Sequence, residues 1–224
     1  MSWPCYWMED TGTAEIGLRR YATPVKGEFD CAGGYHQAFA WLGLRVDRPR
    51  RTVEQSDGSS YEVYDDLFEA DPNDERWPVA CDVCGTYSFT AADFKQTWHE
   101  TIFVLSDGSE ASTHWAHHPP GVAYAGAGAM WDAWWLKDFG NLNPVRPDGI
   151  HLMVRCPNMA KDSAGDQDWA VDVKATGGGY WSRIGDPHDP RSVTVRPSIS
   201  IGDPSSPGHY HGWLSAGVLT DHIG

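Results

Sequence analysis

The chain has 224 residues, enough for one large domain or two small ones, and its 41% hydrophobic and 21% charged residues are those of an ordinary water-soluble globular protein. Its net charge of −14, from 17 basic and 31 acidic residues, repels phosphate and argues against non-specific nucleic-acid binding. No run of about 18 apolar residues is present, so no membrane-spanning helix is expected.

The first residues, Met1 to Gly12, have neither a basic n-region nor an apolar h-region and do not read as a signal peptide. Five cysteines, an odd number, fit a reducing cytoplasm better than a secreted disulfide framework. Twelve tryptophans can fill a sizeable core despite 24 glycines and 15 prolines, whose abundance predicts many turns and short elements.

In chain order, residues 1–30 read as irregular or short-stranded. Tyr35 to Leu44 has apolar residues at spacings of three and four and predicts a helix ending at Gly43. Arg45, Arg48, Arg50 and Arg51 follow around Pro49 and read as a solvated loop, or as a local basic face. Residues 54–60 are a turn, Glu62 to Ala70 predicts a short helix, and residues 71–76 form an acidic linker into Trp77-Pro78.

From about residue 100 the pattern turns to strands. Thr101 to Leu105 is followed by Ser106-Asp107-Gly108-Ser109, a hairpin turn, and a return over Glu110 to Trp115. Residues 119–129 are a glycine-rich connection. Met130 to Phe139 has tryptophans at helical spacing but suits a strand equally well. Strands are expected over Gly149 to Cys156, Asp168 to Lys174, Tyr180 to Ile184 and Ser192 to Ile201. Tyr210 to Leu214 and Val218 to Leu219 flank a turn at Ser215-Ala216-Gly217. Such short strands predict a sandwich or barrel.

The sharpest motif is Cys81-Asp-Val-Cys84-Gly85, two thiols at knuckle spacing and a glycine that lets the backbone turn toward a metal. Structural zinc needs four ligands. Cys5 and Cys31, upstream, are the best complement, and His36 is the main substitute. A closed four-thiolate site has no open position for water, so it is structural and not catalytic. The bland alternative is a pair of buried thiols. Cys156, at a strand end before Pro157, reads as a simple buried thiol.

The histidines form a second group. His114, His117 and His118 fall in one stretch, and His209 and His211 in another. On a strand, residues two apart share a face, so imidazoles from two strands could hold a divalent metal with an open position. Asp172, Asp186, His188 and Asp189 could then complete the chemistry as ligand or general base. The alternative is that these imidazoles bond their neighbours or stack on tryptophans. Ser198 is a weaker nucleophile candidate, with His209 or His211 as base. No nucleophile elbow, Walker loop, dinucleotide fingerprint or H-E-x-x-H occurs. The tryptophan clusters read mainly as core, or else as a stacking platform for sugars or bases.

Two stretches carry a resemblance. Pro4-Cys5-Tyr6-Trp7, Leu18-Arg19-Arg20-Tyr21, Cys31, Gly34-Tyr35-His36 and Trp77-Pro78 precede the knuckle. Gly128-Ala129-Met130-Trp131-Asp132-Ala133-Trp134-Trp135 precedes Trp169-Ala170-Val171-Asp172. Together they resemble an actinobacterial phage and prophage protein family without an established activity. The C-terminal pattern, Thr194 to Ile199, His211 to Leu214 and Gly217 to Leu219, is similar to a small β-domain frequent in such genomes. The resemblance implies Cys5, Cys31, Cys81 and Cys84 as one zinc constellation, and a phage origin.

The expected fold is α+β, mostly β. A zinc-knuckle module with one or two short helices (residues 1–95) packs on a tryptophan-rich antiparallel β-domain (residues 96–224). The expected function is that of an accessory protein in the host cytoplasm, with structural Zn2+, acting on a protein partner. A metal-dependent hydrolase using the histidines, and a minor virion protein, are the alternatives.

Overall fold

The computed structural model describes residues 1–21, 39–54, 58, 60–65, 69–81, 85, 88–113, 121–134, 136, 148–160, 165–172 and 181–222. The chain divides into two compact units, Thr11–Ile102, and Met1–Asp10 with Phe103–Gly224. The first ten residues therefore belong with the C-terminal part of the chain.

The discontinuous unit holds most of the strands. Its larger sheet has β1 (Ser2–Pro4), β13 (Ser182–Ile184), β14 (Thr194–Ile201), β15 (Tyr210–Ser215) and β16 (Val218–Asp221), in the order β1-β16-β15-β14-β13 and antiparallel throughout. β15 and β16 form a hairpin across Ala216 (φ 47°) and Gly217 (φ 70°), at the turn expected from the sequence. The register of β14 on β15 shifts between Val195 and Ile199, around a cis Arg196–Pro197 peptide.

A second sheet has β2 (Tyr6–Trp7), β10 (Ala129–Asp132), β11 (Leu152–Cys156) and β12 (Gln167–Ala170), ordered β12-β11-β10-β2. β2 joins β10 in parallel, with Tyr6 N–H donating to the Gly128 carbonyl at 3.0 Å and Met8 N–H to that of Met130 at 2.8 Å. The two sheets share one apolar core. Met130, Leu152, Val154, Cys156 and Trp169 from one meet Val195, Ile199, Tyr210, Leu214 and Leu219 from the other. Each such side chain stabilises the fold by about 1.5–3 kcal/mol on burial. This is sandwich packing, as the alternating pattern predicts. In β15 the alternation is strict: Tyr210, Gly212 and Leu214 are buried, and His211, Trp213 and Ser215 are exposed.

A smaller cluster of Met8, Phe103, Ala111, Ala125, Ala129 and Trp131 lies beside it. Here the end of β7 (Phe94–Val104) pairs with β8 (Glu110–Ser112) across the expected Asp-Gly turn, and β9 (Val122–Tyr124) adds in parallel. The glycine-rich connection thus contains a strand. Arg155, only 3% exposed, makes a bidentate pair with Asp168 (2.7 and 3.0 Å) and donates to the carbonyls of Thr113 and Ala125, both at 2.7 Å. That geometry satisfies a buried cation.

The other unit is built on β3 (Glu9–Tyr21), whose residues pair with β4 (Phe39–Asp47) from Thr13↔Asp47 to Tyr21↔Phe39, and on the hairpin of β5 (Arg50–Glu54) and β6 (Ser60–Tyr64). Ile16, Leu44, Ala70 and Trp77 form its apolar cluster.

Three expectations fail here. The helix expected from Tyr35 to Leu44 is not formed: Phe39 to Leu44 lie in β4, and Tyr35 is outside the described residues. The helix expected from Glu62 to Ala70 is likewise displaced, since Glu62 to Tyr64 belong to β6. The α part of the expected α+β class is therefore corrected. The chain is mostly β, and the described residues contain 3-10 turns but no α-helix. Long-range pairing overrides weak local spacing, because aromatic and branched residues fit a pleated surface. The arginine cluster also changes character. Arg48 is buried and donates to the Tyr64 carbonyl at 3.1 Å, and Arg50 reaches the Tyr64 hydroxyl at 3.1 Å. Arg51 stands 3.9 Å from Asp65.

Candidate functional site

The chemically richest surface is the outer face of the larger sheet. Because β15 alternates, His209, His211 and Trp213 lie along one side, and β16 brings His222 next to His211. The ring centroids of His211 and His222 are 5.0 Å apart, those of Trp213 and His222 4.9 Å, and those of His209 and His211 6.2 Å. β14 contributes serines: Ser200 Oγ is 2.9 Å from His209 Nε2, and Ser198 Oγ is 3.2 Å from His211 Nε2. Arg196, Ser198 and Trp213 line one shallow depression. Ile184, 63% exposed, stands on β13, two strands away from Trp213 of β15, itself 40% exposed.

This arrangement brings together three expected residues, His209, His211 and Ser198, and adds Trp213, His222, Arg196 and Ile184. Sequence reading passed over these four. The alternation from Tyr210 to Ser215 could have signalled Trp213, but the others need the strand register.

The Ser198–His211 contact is half of a nucleophile arrangement. Among the described residues no carboxylate bonds to His211 Nδ1, so the orienting third group of a triad is lacking there. Nor do three His, Cys, Asp or Glu side chains among the described residues converge as metal ligands. Asp172, considered as a partner for these histidines, is buried, accepts the Leu152 N–H at 2.9 Å and stands 3.4 Å from Arg183. Asp186 and His188 pair with each other at 3.0 Å in an exposed loop with Asp189.

The expected zinc ligands are described in part. Cys31, His36, Cys84, His114, His117 and His118 lie outside the described residues. Cys81 is buried at 3% exposure in the unit Thr11–Ile102. Around it the chain forms a small hairpin: Ala80 bridges Ser88, and Phe89 N–H donates to the Val79 carbonyl at 2.9 Å. At the tip Gly85 N–H donates to the Cys81 carbonyl at 2.8 Å, with Gly85 at φ 67°. Of the expected pair only Cys81 is described, and the positive φ of Gly85 is one that glycine adopts readily.

Cys5 has a different setting. It packs against the core that includes Cys156 and Tyr210, and burial pushes its thiol up from 9.0 to about 12. Burial, with Cys5 close by, pushes Cys156 up as well. Both thiols are neutral packing groups in these surroundings and form no disulfide. Metal ligation at Cys5 would have to overcome that desolvation.

Comparison of the chain with family models, with curated proteins and with solved structures returned no match.

Proposed function

We propose that the protein is a phage or prophage accessory protein that binds another protein, and that the face carrying Trp213 is its docking surface. The observation that carries this reading is Trp213, exposed at 40% beside Arg196 and continued by three imidazoles. Tryptophan and arginine are the side chains most often found at binding hot spots. In a chain of net charge −14, the positions next to Trp213 on β14 and β15 carry no carboxylate, Asp221 of β16 is held by the Met1 amino group, and Asp203 stands beside His209 at the margin. A charge-poor centre within an acidic surface matches the anatomy of protein interfaces. The acidic field suits a basic partner and would steer its approach.

Structural Zn2+ at the Cys81/Cys84 knuckle belongs to the same reading, as does action in the host cytoplasm, with a minor place in the virion as the alternative. The phage origin rests on the resemblance of the Pro4–Trp7, Gly128–Trp135 and C-terminal motifs.

Photo-crosslinking tests the docking face. A photoreactive residue at exposed position 215 should trap one basic protein in the expressing host. The purified partner should then bind the wild-type chain and lose affinity with Trp213→Ala or Arg196→Ala. Unchanged affinity in both variants would sink the proposal.

A second reading, a metal-dependent hydrolase, is favoured only by the approach of His209, His211 and His222. It needs a further ligand, for which His114, His117 and His118 are the candidates. Co2+ titration followed by visible absorption discriminates: a tetrahedral spectrum lost in His211→Ala supports it, and an unchanged spectrum removes it.

A further inference from the structure

We propose that a cleft beside Trp7 is a binding site for a neutral sugar unit. The cleft is distinct from the Trp213 face and lies within the discontinuous unit. Its volume is about 450 Å3, and its walls come from three separate stretches, Cys5 to Glu9, Val104 to Ser106, and His188 to Arg191. That volume lies within the range of small-molecule sites.

The cleft carries a fixed aromatic surface. The Trp7 indole N–H donates to Glu9 Oε2 at 2.7 Å, which sets the ring's rotation. The His188 ring meets it at 4.8 Å between centroids and 52° between planes. Asp186 Oδ1 holds His188 twice, through the backbone N–H at 2.9 Å and ring Nδ1 at 3.0 Å. With Nδ1 donating, Nε2 is left as an acceptor.

The loop bearing His188 is stapled from within. Ser192 Oγ accepts the Asp186 N–H at 2.9 Å and donates to the Asp189 carbonyl at 2.8 Å. Asp189 N–H donates to the Asp186 carbonyl at 3.0 Å. Gly185, at φ 95°, lets the loop close, because a Cβ there would lie 2.2 Å from the Ser192 carbonyl oxygen. An exposed loop with this many internal bonds presents its imidazole preorganised, which lowers the ordering cost of binding.

The chemistry of the walls selects the ligand. Glu9 keeps carboxylate lone pairs beyond its bond to Trp7, Asp189 adds acceptors, and Arg191 adds donors. Leu105, Val104 and Pro190 supply apolar wall. A sugar ring has a C–H face for aromatic rings and a rim of hydroxyls that both donate and accept. An anionic or phosphorylated ligand would meet Glu9 and Asp189. A cation would meet Arg191.

The test is saturation-transfer NMR and calorimetry with the full chain and a panel of neutral hexoses, N-acetylhexosamines and their disaccharides. Choline and ATP are the charged controls. The expected result is saturable binding of at least one sugar, weakened roughly tenfold or more by Trp7→Ala and by His188→Ala, and unchanged by Trp213→Ala. His188 is an exposed loop side chain, so its variant remains informative if Trp7→Ala lowers stability. Absence of binding across the sugars, sugar binding that survives both changes, or tighter binding of choline or ATP would each overturn the proposal.

Discussion

The buried Tyr210 hydroxyl donates to the carbonyl of Thr220 at 2.9 Å, and the ring reaches it by passing over Gly212. A Cβ on Gly212 would stand 1.9 Å from the Thr220 oxygen and 2.5 Å from the Tyr210 hydroxyl. Gly212→Ala should therefore cost about 1–3 kcal/mol through overpacking. Tyr210→Phe, which removes one hydrogen bond and leaves a buried carbonyl lone pair, should cost about 1 kcal/mol. Urea denaturation of the two variants checks this order.

Arg155 leads to a larger effect. Arg155→Ala leaves two carbonyls without the donor that now satisfies them, whereas Asp168, 41% exposed, stays solvated. A loss of about 3 kcal/mol is expected from the two buried carbonyls together. Arg155→Lys should recover only part of it, since an ammonium cannot reproduce the fork. Thermal unfolding monitored by near-UV circular dichroism reads both.

The raised thiols set a pH dependence. Cys5 ionises at 9.0 when free in water and at about 12 in the fold, because burial disfavours the thiolate. Folding stability is therefore whole below pH 9 and falls as pH rises from 9 toward 12, with Cys156 and Tyr210, raised by burial, adding to the slope. Each group contributes up to about 1.4 kcal/mol per pH unit. Denaturation at stepped alkaline pH should show a shallower fall in a Cys5→Ala/Cys156→Ala variant. An identical slope would contradict the assignment.

The knuckle predicts a metal. Elemental mass spectrometry on untagged protein should find one zinc per chain, lost in the Cys81→Ser/Cys84→Ser variant together with folding of the Thr11–Ile102 unit. Metal binding to a small module is part of its folding energy. A wild-type chain without zinc would remove the structural-metal reading.

The docking proposal separates binding from stability. Trp213→Ala should change stability by no more than about 1 kcal/mol, since the side chain is 40% exposed and its ring contacts are with His211 and His222. Partner affinity should fall by about 2 kcal/mol or more. Calorimetry and denaturation on one preparation distinguish the two.

The parts of this fold legible in the sequence are those made by near neighbours. The Asp107-Gly108 and Ala216-Gly217 turns announce their hairpins, and strict alternation over Tyr210 to Ser215 separates a buried face from an exposed one. What stayed hidden depends on partners far along the chain. Phe39 to Leu44 has helical spacing, but the ladder to β3 decides its conformation. Within the ambiguous Met130 to Phe139, pairing with β2 and β11 makes Met130 to Asp132 a strand. His222 joins the imidazole row only through the β15–β16 register. Trp7 and His188 meet across most of the chain, and only the Trp-x-Glu and Asp-x-His spacings hint locally that each ring has a carboxylate to hold it.

The pairing of β1 with β16 also fixes an order of events. Ser2 to Pro4 is synthesised before Val218 to Thr220, yet it waits for them before it has a partner, and the Met1 amino group bonds to Asp221. Between them the whole Thr11–Ile102 stretch emerges from the ribosome. That stretch can complete its own local ladders while the first strand is still unpaired, so maturation should proceed from the inserted unit outward. Until then the opening residues are an exposed edge for which any passing strand can compete.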